Sequence, residues 1–205
     1  MLHCSGDAGT DIGLNAFEKQ LKAGGTPKTS LRIEHFGVFQ MNVGQLSRAK
    51  ELSRKGFKIS VQPTWLLELV KADYENMGPE RTRTGFMFRS MIDAGLEPAA
   101  GTDVTGIYLD NVNPFLAIYA AVTRNSDNGI FMPEQSVSVT EALKMWTIWA
   151  AKSMGEANVK GSIEPGKYAD MAVLSGDIFT MPKQDLKDVK ALKTIVGGNV
   201  VYEAK

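Results

Sequence analysis

Apolar residues recur along this chain with two periods, three-to-four and two, and the periods take turns. Leu14, Phe17 and Leu21 fall at helical spacing, and Gly24-Gly25 closes that run, since glycine accepts the left-handed conformation that follows a helix. Leu31-Arg32-Ile33-Glu34-His35-Phe36 then alternates as a strand does, which predicts Leu31, Ile33 and His35 on one face and Arg32 and Glu34 on the other. Leu46, Ala49 and Leu52 predict a second helix over about 43–55, stopped by Gly56. Phe57, Ile59 and Val61 alternate with Lys58, Ser60 and Gln62 until Pro63 breaks the run. Residues 64–85, with Trp65, Tyr74 and Gly78-Pro79-Glu80-Arg81, read as a long connection of the kind that forms lids or binding loops. A third helix over about 86–94 ends at Gly95, and Leu96-Glu97-Pro98-Ala99-Ala100-Gly101-Thr102 leads to Asp103. The unit of helix, glycine stop, strand and polar residue thus repeats, ending at His35, Gln62 and Asp103. Such alternation predicts an α/β fold with parallel strands and right-handed helical crossovers.

Further along, Asn113-Pro114 opens an apolar helix through Phe115, Leu116, Ile118, Tyr119 and Val122. Ser138-Val139-Thr140-Glu141 has capping-box spacing, and the helix behind it carries Leu143, Trp146, Thr147 and Ala150 toward Gly155. The pattern then changes. Pro165-Gly166 suits the centre of a type II turn, Met171-Ala172-Val173-Leu174 reads as a strand, and Gly197-Gly198 joins two strand-like runs as a hairpin. A small, separate β element is expected after about Gly155.

Composition narrows the function classes. With 205 residues, 43% of them hydrophobic, the chain can bury one sizeable core. Lys+Arg and Asp+Glu are equal at 23 each, so no long-range field gathers phosphates and nucleic acid is not an expected partner. No apolar run approaches the roughly 18–20 residues of a membrane span, and the first residues show no charged-then-apolar export signal, so a cytoplasmic chain without membrane contact is expected. Cys4, the single cysteine, excludes an internal disulfide and a thiolate metal cage but leaves one nucleophile open.

The chemistry-bearing residues stand at the ends of strand-like runs, where parallel α/β folds gather their sites. They are His3, His35 and Asp103, and the sequence holds no histidine beyond these two. Taken alone, His35 reads better as a hydrogen-bonded core residue than as a ligand. Together, two imidazoles and a carboxylate make a nitrogen/oxygen ligand set for zinc or another first-row divalent ion, with bonds of roughly 2.0–2.2 Å.

His3 with Gly6-Asp7, Arg32-Ile33-Glu34-His35, Ser60-Val61-Gln62-Pro63 and Gly101-Thr102-Asp103 resemble the amidohydrolase superfamily. The closest likeness is to the amidohydrolase-3 branch that includes N-substituted formamide deformylases. Gly78-Pro79-Glu80-Arg81, Asn113-Pro114, Ala121-Val122-Thr123-Arg124, the run from Gly161 to Asp170 and the run from Val196 to Tyr202 extend the likeness over nearly the whole chain. The resemblance implies strands five to eight of a (β/α)8 TIM barrel over residues 1–155, and the C-terminal segment of a flanking β-sandwich over 156–205. It implies metal-dependent hydrolysis of carbon–nitrogen bonds in small amides or formamides. His3, His35 and Asp103 would ligate the metal, zinc foremost, and Asp103 would serve as base for the attacking water. Asp7 and Glu34 would stand behind the ligands, with Glu34 paired to Arg32; Trp65 and Arg81 would touch substrate or, the reading their residue types favour, serve as packing and a surface ion pair. The family's His-x-His of strand one and its strand-four ligand have no counterpart here. A complementing N-terminal half, or a second copy of this chain, is therefore the expected protein partner. Two other readings stay open: a non-catalytic remnant acting as a self-associating binding module, and an unrelated α/β enzyme using Cys4 or Asp103.

Overall fold

In the computed structural model, which describes residues 1–24, 31–104 and 112–205, four short strands form one parallel sheet in the order β1-β2-β3-β4. They are β1 (Leu2–His3), β2 (Arg32–Glu34), β3 (Lys58–Val61) and β4 (Ala99–Ala100). Between them run α1 (Gly6–Lys22), α2 (Val43–Ser53), then α3 (Leu66–Thr82) and α4 (Phe88–Asp93). The α/β alternation read from the sequence is present, and Gly24 follows α1 with φ 76°, while Gly25 lies outside the described residues. The start of α2 obeys local chemistry: the Asn42 side chain accepts from Gln45 N while Gln45 Oε1 accepts from Asn42 N, a closed capping box.

Register sorts the sheet into two faces. Leu2 pairs with Ile33, Ile33 with Ile59, and Val61 with Ala100, so these residues share one face, and Ile33 packs against Gly13 of α1. His3 pairs with Glu34, Arg32 with Lys58 and Ser60 with Ala99 on the other. The first face is apolar, buried at Ile33, Ile59 and Val61 and exposed at Leu2 on its margin, and behind it Phe17, Phe36 and Phe57 interlock edge to face at 5.2 and 6.4 Å. The second is charged, with Arg32 paired to Glu34 and Glu97 held between Lys58 and Lys152.

Residues 64–85 are not the open loop that their glycine, proline and aromatics suggested. A short 3₁₀ turn (Pro63–Trp65) leads into α3, which is two helical pieces joined at Gly78 (φ 77°, ψ 163°), with Pro79 opening the second piece where no N–H is needed. The next helix starts at Phe88, two residues later than expected, because Phe86 takes a left-handed turn (φ 51°) that lets its N–H donate to Gly37 O at 2.7 Å. Gly85 threads so close to residues 38 and 39 that a Cβ there would sit 2.1 Å from Phe39 O.

Beyond β4, α5 (Pro114–Thr123) is capped by Asn113, whose side chain accepts from Phe115 N. A tight hairpin, β5 (Asn125–Ser126) and β6 (Gly129–Ile130), follows Arg124, which is wholly buried. Its guanidinium lies 5.2 and 5.7 Å from the ring centres of Phe88 and Phe131, and Nε donates to Phe131 O at 3.0 Å. Burial pulls its pKa down to about 9. The helix expected to run to Gly155 is broken at Thr147 (φ −121°, ψ −100°) into α6 (Val139–Trp146) and α7 (Ile148–Met154). Gly161 lies across that break, where a Cβ would meet Ala151 Cβ at 2.7 Å and Ile148 Cα at 3.0 Å. The β element after residue 155 is an antiparallel sheet of β7 (Met171–Leu174), β8 (Ala191–Val196) and β9 (Asn199–Glu203). Its β7–β8 connection is not separate, however: Ile178, Leu186 and Val189 are buried, and the 3₁₀ turn Lys183–Asp188 packs on α5.

Two outcomes follow from this packing. Gly85→Ala drives a methyl into backbone that cannot step aside, and is expected to lower stability by about 3 kcal/mol or more in urea denaturation. Gly95→Ala, whose Cβ would meet open space, should cost only about 1 kcal/mol. Asp73 on α3 is buried with Oδ2 unpartnered, and burial, with Asp127 nearby, pushes its carboxyl up to about 6. Between the ordinary 3.8 and about 6 the folded chain binds the proton more tightly than the unfolded chain, so stability falls as pH rises through that window and levels off above it. Asp73→Asn should flatten that fall and add about 1–3 kcal/mol at neutral pH, measured by denaturation across the window.

Candidate active site

All four parallel strands deliver a polar residue to the same edge. β1 ends on His3, β2 runs into His35, β3 into Gln62, and β4 into Gly101-Thr102-Asp103. The ladder carries on past the strand ends: Cys4 N donates to Glu34 O, Phe36 N to Ser60 O and Gly101 N to Val61 O, at 3.3, 3.1 and 3.0 Å. Two of the edge residues are left-handed, His35 at φ 63° and Asp103 at φ 49°. A side chain in that region costs about 1–2 kcal/mol, and it persists only where the surroundings impose it, as they do at binding and catalytic edges.

The turn at His35 corrects the expectation that its ring shares a face with Leu31 and Ile33. A left-handed residue breaks strict alternation, and the imidazole lies instead with His3 and Gln62, on the side of the polar face. Its surroundings are specific. Nδ1 is 2.8 Å from Gln62 Oε1, and both side chains are buried. The ring stacks on Trp65 at 5.1 Å with planes 16° apart, and meets the edge of the His3 ring at 4.5 Å. Nε2 lies 3.7 Å from Asp103 Oδ2. The His35 side chain is 4% exposed and that of Asp103 43%, so a buried, fixed base faces an accessible carboxylate.

These donors suit a borderline divalent ion in kind, two imidazole nitrogens and a carboxylate oxygen. The 3.7 Å between His35 and Asp103 is close to the ~3.4 Å that separates two tetrahedral ligands with bonds of ~2.1 Å. Yet among the described residues no group of three or more His, Cys, Asp and Glu side chains is arranged to hold a metal. His35 and Asp103 are a preformed pair, and His3, exposed beside them, is not drawn into a closed cage.

The other candidates go elsewhere. Asp7, at the start of α1, pairs with Arg81 at 3.2 Å, and both are largely exposed. Glu34 pairs with Arg32, whose Nη1 donates to Ser153 Oγ at 3.3 Å. These bonds reach none of His3, His35 and Asp103. Trp65 stacks on His35, so its first role is to hold that ring. Cys4 is buried against α1, and burial raises its thiol pKa, which points away from a nucleophile. Gln62 had no assigned role in the sequence. Its position was the signal, since it fills in β3 the place that His35 and Asp103 fill in their strands.

This edge, on this sheet, has known relatives. A model of the amidohydrolase family matches residues 1–202. The chain belongs to that family. N-substituted formamide deformylase of Arthrobacter pascens is 31% identical over 98% of this chain and 36% of its own length. Protein LONG AFTER FAR-RED 3 of Arabidopsis thaliana is 29% identical over 98% of this chain and 33% of its own. Among solved structures, an uncharacterized metal-dependent hydrolase from Pyrococcus horikoshii OT3 superposes with a TM-score of 0.71 at 26% identity, covering 89% of this chain and 35% of that one. The amidohydrolase-family chain thus spans about a third of the length of the curated relatives it matches. In this family member, His35→Ala removes a buried ring and leaves Gln62 Oε1 without its donor. A loss of about 2–4 kcal/mol is expected in chemical denaturation.

Proposed function

We propose that this chain is the C-terminal half of a metal-dependent hydrolase that cleaves carbon–nitrogen bonds in small amides, N-substituted formamides foremost. The observation that carries the reading is the His35–Asp103 pair, 3.7 Å apart at the carboxyl edge of the parallel sheet with His3 beside it. On this reading β1 to β4 are strands five to eight of a (β/α)8 barrel over residues 1–155, and residues 156–205 are part of a β-sandwich. Three observations support it. The strands pair in chain order, the face of the sheet turned away from α1 is charged, and Val196, Val200, Val201 and Tyr202 of the small sheet are exposed.

His3, His35 and Asp103 would hold the divalent ion, with zinc the metal that best suits the donors. When bound, such an ion supplies Lewis acidity that acidifies a water and polarises the scissile carbonyl. The chain's own residues do the rest. Asp103, accessible and held in place by its backbone turn, accepts the proton of the attacking water and returns it to the departing nitrogen. His35, clamped by Gln62 and Trp65, keeps its free nitrogen fixed relative to that carboxylate. Asp7 and Glu34 keep α1 and the polar face in order through Arg81 and Arg32. No helix among the described residues is long and apolar enough to cross a membrane.

The partner on this reading is a polypeptide segment bearing the strand-one His-x-His, since an ordered cavity needs both halves and errors of about 1 Å in positioning can cost roughly a hundredfold in rate. Turnover of a simple N-formyl amine tests it. The zinc-loaded chain alone is expected to show little or none, the chain co-expressed with such a half to show it clearly, and Asp103→Asn to reduce it about a hundredfold or more. Turnover by the joined halves that survives Asp103→Asn undiminished would overturn the assignment of Asp103.

A further inference from the structure

We infer that Gln62 is a positioning residue: its side-chain carbonyl holds His35 in the tautomer with hydrogen on Nδ1, leaving the Nε2 lone pair bare and turned toward Asp103. The inference rests on the proposed hydrolase reading and adds to it a residue whose work is done through another.

A carbonyl oxygen only accepts, so the 2.8 Å contact between Gln62 Oε1 and His35 Nδ1 makes Nδ1 the donor. Both residues are buried, Gln62 at 2% and His35 at 3% exposure, and an unmade bond there would cost about 1–3 kcal/mol. The opposite arrangement turns the amide round, so that its NH2 faces Nδ1 and the ring hydrogen sits on Nε2. That hydrogen would then point toward Asp103 Oδ2 at 3.7 Å, beyond hydrogen-bond reach, and would gain no bond from the carboxylate it faces. The Nδ1–H form leaves only a lone pair at that place, which costs less. It is also the form that offers a metal or a proton an acceptor.

The rest of the pocket fixes the ring rather than its hydrogen. Trp65 sets the plane by stacking, His3 meets the ring's edge, and the left-handed backbone at His35 aims the ring at Gln62. A glutamine serves where a carboxylate would also accept, and it does so without adding charge beside Asp103. The amide therefore selects the tautomer and leaves the electrostatics of the edge to the carboxylate and its metal.

The test is two-bond ¹H–¹⁵N NMR of the whole chain carrying ¹⁵N-histidine, without metal, about two pH units above the ordinary imidazole value of ~6.5. His3→Gln serves to assign the His35 signals. Expected is a protonated, pyrrole-type Nδ1 and a bare, pyridine-type Nε2 at His35. Gln62→Glu should keep that pattern, and Gln62→Leu should lose it. In the same samples, zinc titration should show binding weakened about 10–100-fold by Gln62→Leu. A hydrogen on Nε2 in the unsubstituted chain overturns the inference, as does an unchanged pattern in Gln62→Leu. Should Gln62→Leu fail to fold, the unsubstituted chain and Gln62→Glu decide. An Nδ1–H tautomer in a chain that takes up no zinc would defeat the metal reading and leave the assignment of Gln62 standing.

Discussion

The structure turns on one backbone conformation, the left-handed residue that ends β2. Were His35 extended, its ring would continue the apolar face of Ile33 and be lost among helix-facing side chains. With φ at 63° it crosses to the other side, where Gln62, Trp65 and His3 receive it. The local cost is small, about 1–2 kcal/mol, and the hydrogen bond, the stack and the ladder bond from Phe36 N to Ser60 O offset it. Asp103 repeats the device at the end of the fourth strand. Two strained turns, two strands apart, bring a nitrogen and an oxygen within 3.7 Å of each other.

The sheet's faces divide the labour of stability and function. Ile33, Ile59 and Val61 bury an apolar surface against helices, and Phe17, Phe36 and Phe57 extend it, so the position of the strand ends is set by packing. The opposite face carries Arg32, Glu34, Lys58 and Glu97, whose part-exposed pairs contribute little individually. Their use is to keep a polar, open surface from collapsing. α7 reaches this face through its C-terminal residues Lys152 and Ser153.

Much of this was legible in the residues. The helix–glycine–strand repeat gave the α/β order, Asn113 and Ser138 gave their helix starts, and the strand ends gave His3, His35 and Asp103 as neighbours in the making. What escaped has a common cause: periodicity reports where a side chain points only while the backbone stays regular. The turn at His35, the break at Thr147 and the helical course of residues 66–82 each depend on contacts made at a distance in sequence. Gly161 against Ile148, and Gly85 against Phe39, are visible only once the chain has folded back. The Gln62–His35 bond is of the same kind, since it joins residues 27 apart.

The order of the strands in space has a consequence for how the chain comes together. Each strand of the parallel sheet lies beside the strand that precedes it in sequence, with no excursion to be filled in later. Every crossover therefore joins strands that are neighbours, so each strand pairing in the sheet spans a single helical connection. Loops that close early and locally are the ones that fold fast. Because His35 finds Gln62 on the very next strand, the clamp on the imidazole closes across one crossover, whereas Asp103 reaches the same ring only across two.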